Sequence, residues 1–261
     1  WTINRQGQFK EQDKNQVCVW VYGLFTDVPG DYIKKPMKDC TGKEITAEWL
    51  YHLGVPEDQM IFGNGAAELI FRLVQEIRPK KAVIPAPSFA EYETALRSCG
   101  TEIAFFYLKE AESFFLNVSE FLDFLRTEQP EIIFLCTPAN PTGAMIRQAD
   151  LSKILDYCKK HGILLVLDEC FVEFLEEERS CGCIREFLDW ETGRPEHGGS
   201  LFLLRAFTKT YAMAGLRLGY GFCTSRELLE RMEENWQPWS VSIPAQEAGY
   251  AALSEERIPF L

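Results

Sequence analysis

With 261 residues, 46% of them hydrophobic and 25% charged, the chain is long enough for one large domain with a sizeable core. A formal net charge of −12 argues against nucleic acid and anionic membrane surfaces as partners, although a local arginine can still hold a phosphorylated small molecule at short range. There is no apolar run of about 18 residues to span a membrane and no basic-then-apolar leader pattern. The nine cysteines show no metal-ligand spacing, Cys181-Gly182-Cys183 included, and read as the reduced thiols of a cytoplasmic protein.

In chain order, the first sixty residues carry charge and turn formers such as Asp27-Val28-Pro29-Gly30-Asp31 and no convincing period. One helix fits 46–53. The rest of this stretch, 1–47, reads as an arm or part of a small domain. The chain starts at Trp1 rather than Met, as a piece of a longer protein would. From about residue 60, short runs of Val, Ile, Leu and Phe alternate with longer amphipathic segments. This predicts strands over 82–85, 102–106, 131–136, 163–167, 201–205 and 218–223, and helices over 66–77, 91–99, 119–126, 149–161 and 226–236. Strands that are apolar throughout suit a parallel sheet covered by helices on both faces, so the fold class is α/β.

Five segments can carry chemistry. Phe62-Gly63-Asn64-Gly65-Ala66-Ala67-Glu68 opens a helix, where unpaired amides receive an anion; alone it fits a plain glycine turn equally well. Pro87-Ser88-Phe89-Ala90-Glu91-Tyr92 follows a strand end, where ligands sit in open α/β sheets, and Phe89 could stack on a flat ring or simply pack. Thr137-Pro138-Ala139-Asn140-Pro141-Thr142-Gly143 holds the Asn140 amide between two prolines, as a donor or as part of a structural turn. Asp168 ends the run Leu164-Leu165-Val166-Leu167, and a carboxylate there needs a cationic partner. Last, Arg205-Ala206-Phe207-Thr208-Lys209 is followed by Arg217 eight residues after the lysine. A Schiff-base lysine and a planar phosphate-binding cation fit that pair; a surface lysine and arginine beside a strand is the alternative.

Together, residues 63–68, Asn140-Pro141-Thr142-Gly143, Asp168, Lys209 and Arg217 resemble the fold-type I pyridoxal-phosphate enzymes. Within them they resemble the class I/II aminotransferase superfamily, in the branch of histidinol-phosphate aminotransferase and threonine-phosphate decarboxylase. The resemblance covers roughly residues 48 to 255. It implies a large domain over 48–255 with a mostly parallel seven-stranded sheet between helices, a small domain left incomplete at 256–261, and a homodimer acting on a small, phosphorylated amino-acid substrate. It also implies that Lys209 forms the Schiff base with pyridoxal 5'-phosphate and moves protons. Asp168 would pair with the ring nitrogen, Asn140 bond the ring 3′-oxygen, and Phe89 stack on the ring. Arg217, Thr208 and the amides of Gly65, Ala66 and Ala67 would hold the phosphate.

Three departures matter. Phe171 stands where most relatives have a tyrosine donor to the 3′-oxygen, and in this it looks like the decarboxylase group. Ala206 stands where many relatives have a hydroxyl. The chain ends at Leu261, about a hundred residues before relatives do. The residues therefore suit decarboxylation of O-phosphothreonine, supplying the cobalamin side arm; transamination of histidinol phosphate or an aromatic amino acid, and a truncated non-catalytic relative, are the alternatives. A dinucleotide enzyme is disfavoured because Gly63-Asn64-Gly65 lacks the third glycine of that fingerprint.

Overall fold

The computed structural model describes residues 2–3, 9–10, 57–175 and 200–253. The predicted helix over 46–53, the pair Cys181 and Cys183, and the segment 256–261 lie outside them. The chain divides into two compact units, Trp1–Cys40 and Thr41–Leu261. In the first, β1 (Thr2–Ile3) pairs antiparallel with β2 (Phe9–Lys10).

The second unit is built on a seven-stranded sheet. Its strands are β3 (Met60–Gly63), β4 (Lys81–Ala86), β5 (Glu102–Tyr107), β6 (Ile132–Cys136), β7 (Leu164–Asp168), β8 (Leu201–Ala206) and β9 (Gly219–Phe222), in the spatial order β3-β9-β8-β7-β6-β4-β5. The helices are α1 (Ala66–Ile77), α2 (Ala90–Ser98), α3 (Val118–Glu128), α4 (Gln148–His161), the short α5 (Phe207–Thr210), α6 (Arg226–Glu234) and α7 (Ile243–Leu253).

Alternation along the strands decides the layering. Ile133, Leu135, Leu165, Leu167, Leu201 and Leu203 enter one core with Phe121 and Leu125 of α3 and Ile154 of α4. Their neighbours Ile132, Phe134, Val166, Phe202 and Leu204 enter the other, with Leu69 and Leu73 of α1, Leu96 of α2 and Leu229 of α6. A side-chain period of two sends successive residues to opposite faces, so an uninterrupted apolar run is what a doubly covered strand needs. The predicted strand and helix bodies therefore hold, with ends shifted by at most two residues.

Three features depart from the sequence pattern. The pairings β4–β5, β4–β6, β6–β7 and β7–β8 are parallel, but β9 runs antiparallel to β8, and the unforeseen edge strand β3 runs antiparallel to β9. The twelve residues between β8 and β9 hold only α5, too little for a crossover helix, so the chain reverses instead. Helix α7 was also unforeseen; its small, weakly patterned sequence carries little amphipathic signal. Finally, Asn117 caps α3 by accepting from the Glu120 amide at 3.3 Å.

The centre of the sheet is closely packed, and Leu203 on β8 is fully buried. Leu203→Ala should cost about 2–5 kcal/mol, by lost transfer energy plus the cavity left behind. Urea unfolding should show a lower midpoint with an unchanged slope.

Candidate active site

The parallel register brings the carboxyl ends of the central strands into line. Cys136 at the end of β6 pairs with Asp168 at the end of β7, which pairs with Leu204 near the end of β8. The helix α2 after β4 lies in one core and α3 after β5 in the other, so the strand order switches between β4 and β6. Open α/β sheets bind ligands outside the carboxyl ends of strands at such a point. Segments carrying Phe89, Asn140, Asp168 and Lys209 all leave the sheet there.

Asp168 is buried at 5% exposure. Its Oδ1 accepts from the Cys170 amide at 2.9 Å, and its Oδ2 accepts from the Tyr92 hydroxyl at 2.6 Å. Among the described residues no lysine or arginine pairs with it. The nearby cation Arg205 goes to the next residue instead, with Nη2 2.8 Å from Glu169 Oε2 and Nη1 3.6 Å from Glu173. A buried carboxylate held only by neutral donors is costly without a counter-charge. A protonated ring nitrogen supplies that charge, so this donor set fits pyridoxal phosphate.

Lys209 lies on α5, exposed, just past the end of β8, with Nζ 5.4 Å from the centre of the Phe171 ring. Phe171 follows the Cys170 amide that holds Asp168, so the lysine and the carboxylate are reached from one short segment. Thr208, next to the lysine, is buried. Ala206 precedes α5 as its cap residue and gives it no side-chain hydrogen bond, as the missing hydroxyl requires.

Arg217, also on the β8–β9 connection, has φ 64° and approaches the start of α1. A Cβ added to Gly65 would stand 2.5 Å from Arg217 Nη2, and Gly65 itself has φ 81°. A Cβ on Gly219 would overlap the Ala66 amide nitrogen. Two glycines thus let a guanidinium and a helix start close on each other. No side chain caps α1. Its Glu68 carboxylate is engaged by the Asn64 amide at 2.7 Å and by Trp236 Nε1 at 3.1 Å. The Gly65 amide, expected from sequence to face a phosphate, instead donates to the Gly63 carbonyl at 2.8 Å, because the turn before the helix closes on itself; the guanidinium beside the next helix-start amides, Ala66 and Ala67, suits a phosphate.

Asn140 is half-buried in a loop closed by the Ala139 amide to the Ala144 carbonyl at 2.8 Å and the Gly143 amide to the Ala139 carbonyl at 2.7 Å. Phe89 is half-buried and begins α2. Beside these residues lies an open, apolar recess of about 440 Å³, lined among others by Ser88, Phe114, Asn140 and Met145. Its lining includes neither Lys209 nor Arg217, so it is not the space those two residues face.

Burial and Asp168 together push the Cys136 thiol up to about 12, and burial, then Asp168, pushes Cys170 well above its usual value. Tyr92 is likewise pushed up, first by burial and then by Asp168, and stays a neutral donor. Sequence reasoning passed over Tyr92. The signal was its place three residues after Phe89, which caps the same helix, a spacing that puts both on one face. Among the described residues no His, Cys, Asp and Glu cluster could hold a metal ion, and no helix is long and apolar enough to cross a membrane.

The fold is that of a pyridoxal-phosphate enzyme class. Residues 43–259 match the family described as "Aminotransferase class I and II", and the chain belongs to that family; its cofactor is pyridoxal 5'-phosphate. Residues 1–73 also match the MCRA family. The chain is 37% identical to a threonine-phosphate decarboxylase of Salmonella typhimurium over 83% of its own length and 58% of that protein's. It is 33% identical to a histidinol-phosphate aminotransferase of Methanosarcina mazei, over 74% of this chain and 47% of that one. It thus spans about half the length of these curated relatives. Among solved structures, a histidinol-phosphate aminotransferase of Sinorhizobium meliloti in complex with pyridoxal-5'-phosphate shares the fold, with a TM-score of 0.70 at 18% identity over 83% of this chain and 56% of that one.

Two measurements probe this geometry. Gly219→Ala must displace the start of α1 and should weaken cofactor binding by about 5- to 150-fold, since forced overpacking costs about 1–3 kcal/mol; absorbance titration with pyridoxal phosphate reads it. Folded Cys136 and Cys158 keep their protons to about pH 12, whereas an ordinary thiol loses its proton near 9.0. Below pH 9 both states are protonated and this contribution is fully present. Between pH 9 and about 12 the unfolded chain binds fewer protons, so stability falls as pH rises. Urea unfolding across that range should show the fall, and Cys136→Ala should reduce it.

Proposed function

We propose that the protein is a pyridoxal-phosphate decarboxylase of the threonine-phosphate type, acting on a small phosphorylated amino acid and supplying an aminopropanol phosphate for the cobalamin side arm. The observation that carries this reading is Phe171. It stands where a transaminase would place a tyrosine donor, and it offers the Lys209 ammonium a ring face instead. The higher identity to the Salmonella decarboxylase supports the same choice.

When bound, the cofactor supplies an electron sink for the pair left by whichever substrate bond breaks. In this reading the protein's residues do the rest. Asp168 keeps the ring nitrogen charged and Phe89 covers one ring face. Asn140 donates to the 3′-oxygen, without help from Phe171. Arg217, Thr208 and the amides of Ala66 and Ala67 would fix the phosphate end. Lys209 would hold the cofactor and, once displaced by substrate, would as an ammonium deliver the proton that replaces carbon dioxide on the substrate α-carbon. Selectivity between carbon dioxide loss and transamination rests on which bond stands perpendicular to the ring, an orientation effect. The expectations of a homodimer and of a cytoplasmic location belong to this proposal too.

Transamination is the second reading, supported by the Methanosarcina relative. One experiment separates them. Protein mixed with pyridoxal phosphate should develop a visible band that borohydride fixes covalently, and Lys209→Ala should abolish it. Loaded protein should then release carbon dioxide from O-phosphothreonine. Amino transfer from histidinol phosphate to 2-oxoglutarate, without carbon dioxide release, would reverse the choice. A folded protein with no band would remove the enzyme reading altogether.

A further inference from the structure

We propose that Tyr92 is a positioning residue that aims the Asp168 carboxylate at the cofactor ring nitrogen; this rests on the reading that Asp168 pairs with that nitrogen. A carboxylate at the end of a strand is not fixed by its own backbone. The torsion about its last bond is broad and two-fold, so one local contact, the Cys170 amide on Oδ1, leaves the group free to turn. The second contact comes from another layer of the fold. Tyr92 lies 76 residues away in sequence, on α2, and its hydroxyl reaches Oδ2 at 2.6 Å, a short, charge-assisted bond. With one donor on each oxygen the carboxylate plane is set.

Tyr92 is itself held from two sides. Its ring stacks on Phe134 of β6 at 4.9 Å and meets Phe89 edge-on at 5.5 Å. It is 1% exposed. Burial beside Asp168 keeps the phenol protonated, so it acts only as the donor in this pair. An ionised carboxylate has about four acceptor sites. Cys170 and Tyr92 occupy two and leave the others for a ligand cation. Because Phe89 caps the helix that carries Tyr92 and touches it, one helix start sets both the residue expected at the ring face and the support of the residue expected at the ring nitrogen.

The test is affinity for two compounds. Pyridoxal phosphate carries the ring nitrogen; its carbocyclic analogue has C–H there and is otherwise alike. Tyr92→Phe keeps the aromatic ring and removes only the hydroxyl. We expect about a tenfold loss of affinity for pyridoxal phosphate and a change within about twofold for the analogue, with an apo melting curve close to wild type. In an Asp168→Ala background, Tyr92→Phe should change neither affinity, because neighbours acting through one another are not additive. Equal losses for both compounds, whether from misfolding or repacking, would overturn the proposal, as would a full effect in the Asp168→Ala background or no effect at all. Wild-type protein that binds neither compound would overturn the cofactor reading and this proposal with it, a result distinct from either failure of the variant.

Discussion

The site is organised around a carboxylate that the protein buries and does not neutralise. Asp168 has two neutral donors and no cation among the described residues, although an arginine sits on the adjoining strand. Such a group is costly in isolation. Its cost falls when a ligand brings a positive charge, and a ring nitrogen does that without adding a side chain to the crevice. Among the described residues its donors are neutral, and a ligand atom bearing a positive charge suits them.

The sheet makes that arrangement available. Parallel register sets the ends of β6, β7 and β8 level, so residues far apart in sequence meet at one edge. The reversal after β8 then matters as much as the parallel pairs. Because β9 returns antiparallel, the connection between them stays over the same edge and carries Lys209 at its start and Arg217 near its end. Eight residues apart, one reaches the Phe171 ring and the other the start of α1. Gly65 and Gly219 are required where that connection and the helix close on each other, one by its positive φ and the other by sheer proximity.

Strands with both faces buried were legible because their apolar runs leave no other placement. Helices with strong patterning, α1 and α6 above all, were legible for the same reason. Edge strand β3 was not, since Met60-Ile61-Phe62-Gly63 is too short to separate from a helix lead-in by period alone. Helix α7 lacked a stripe, and the direction of β9 depends on connection length rather than on its own residues. In the site, the backbone-defined parts (the glycines, the proline-bounded asparagine, the lysine context) were visible in sequence. Tyr92 was not, because its role exists only once α2 lies over β6 and β7. The cationic partner that the sequence asks for at Asp168 is not the nearby arginine, which belongs to Glu169.

That last assignment explains why two adjacent carboxylates behave differently. Successive residues at a strand end point to opposite sides, so Asp168 and Glu169 cannot share one partner. Arg205 on β8 lies on the side of Glu169 and, with Glu173 near, closes a buried ion pair there. Breaking a buried pair leaves an uncompensated charge, so Arg205 is not free to turn toward Asp168. The pair thus does more than fill the core beneath the lysine loop. It holds Arg205 away from the crevice, and among the described residues leaves Asp168 with neutral donors that suit a positively charged ligand atom.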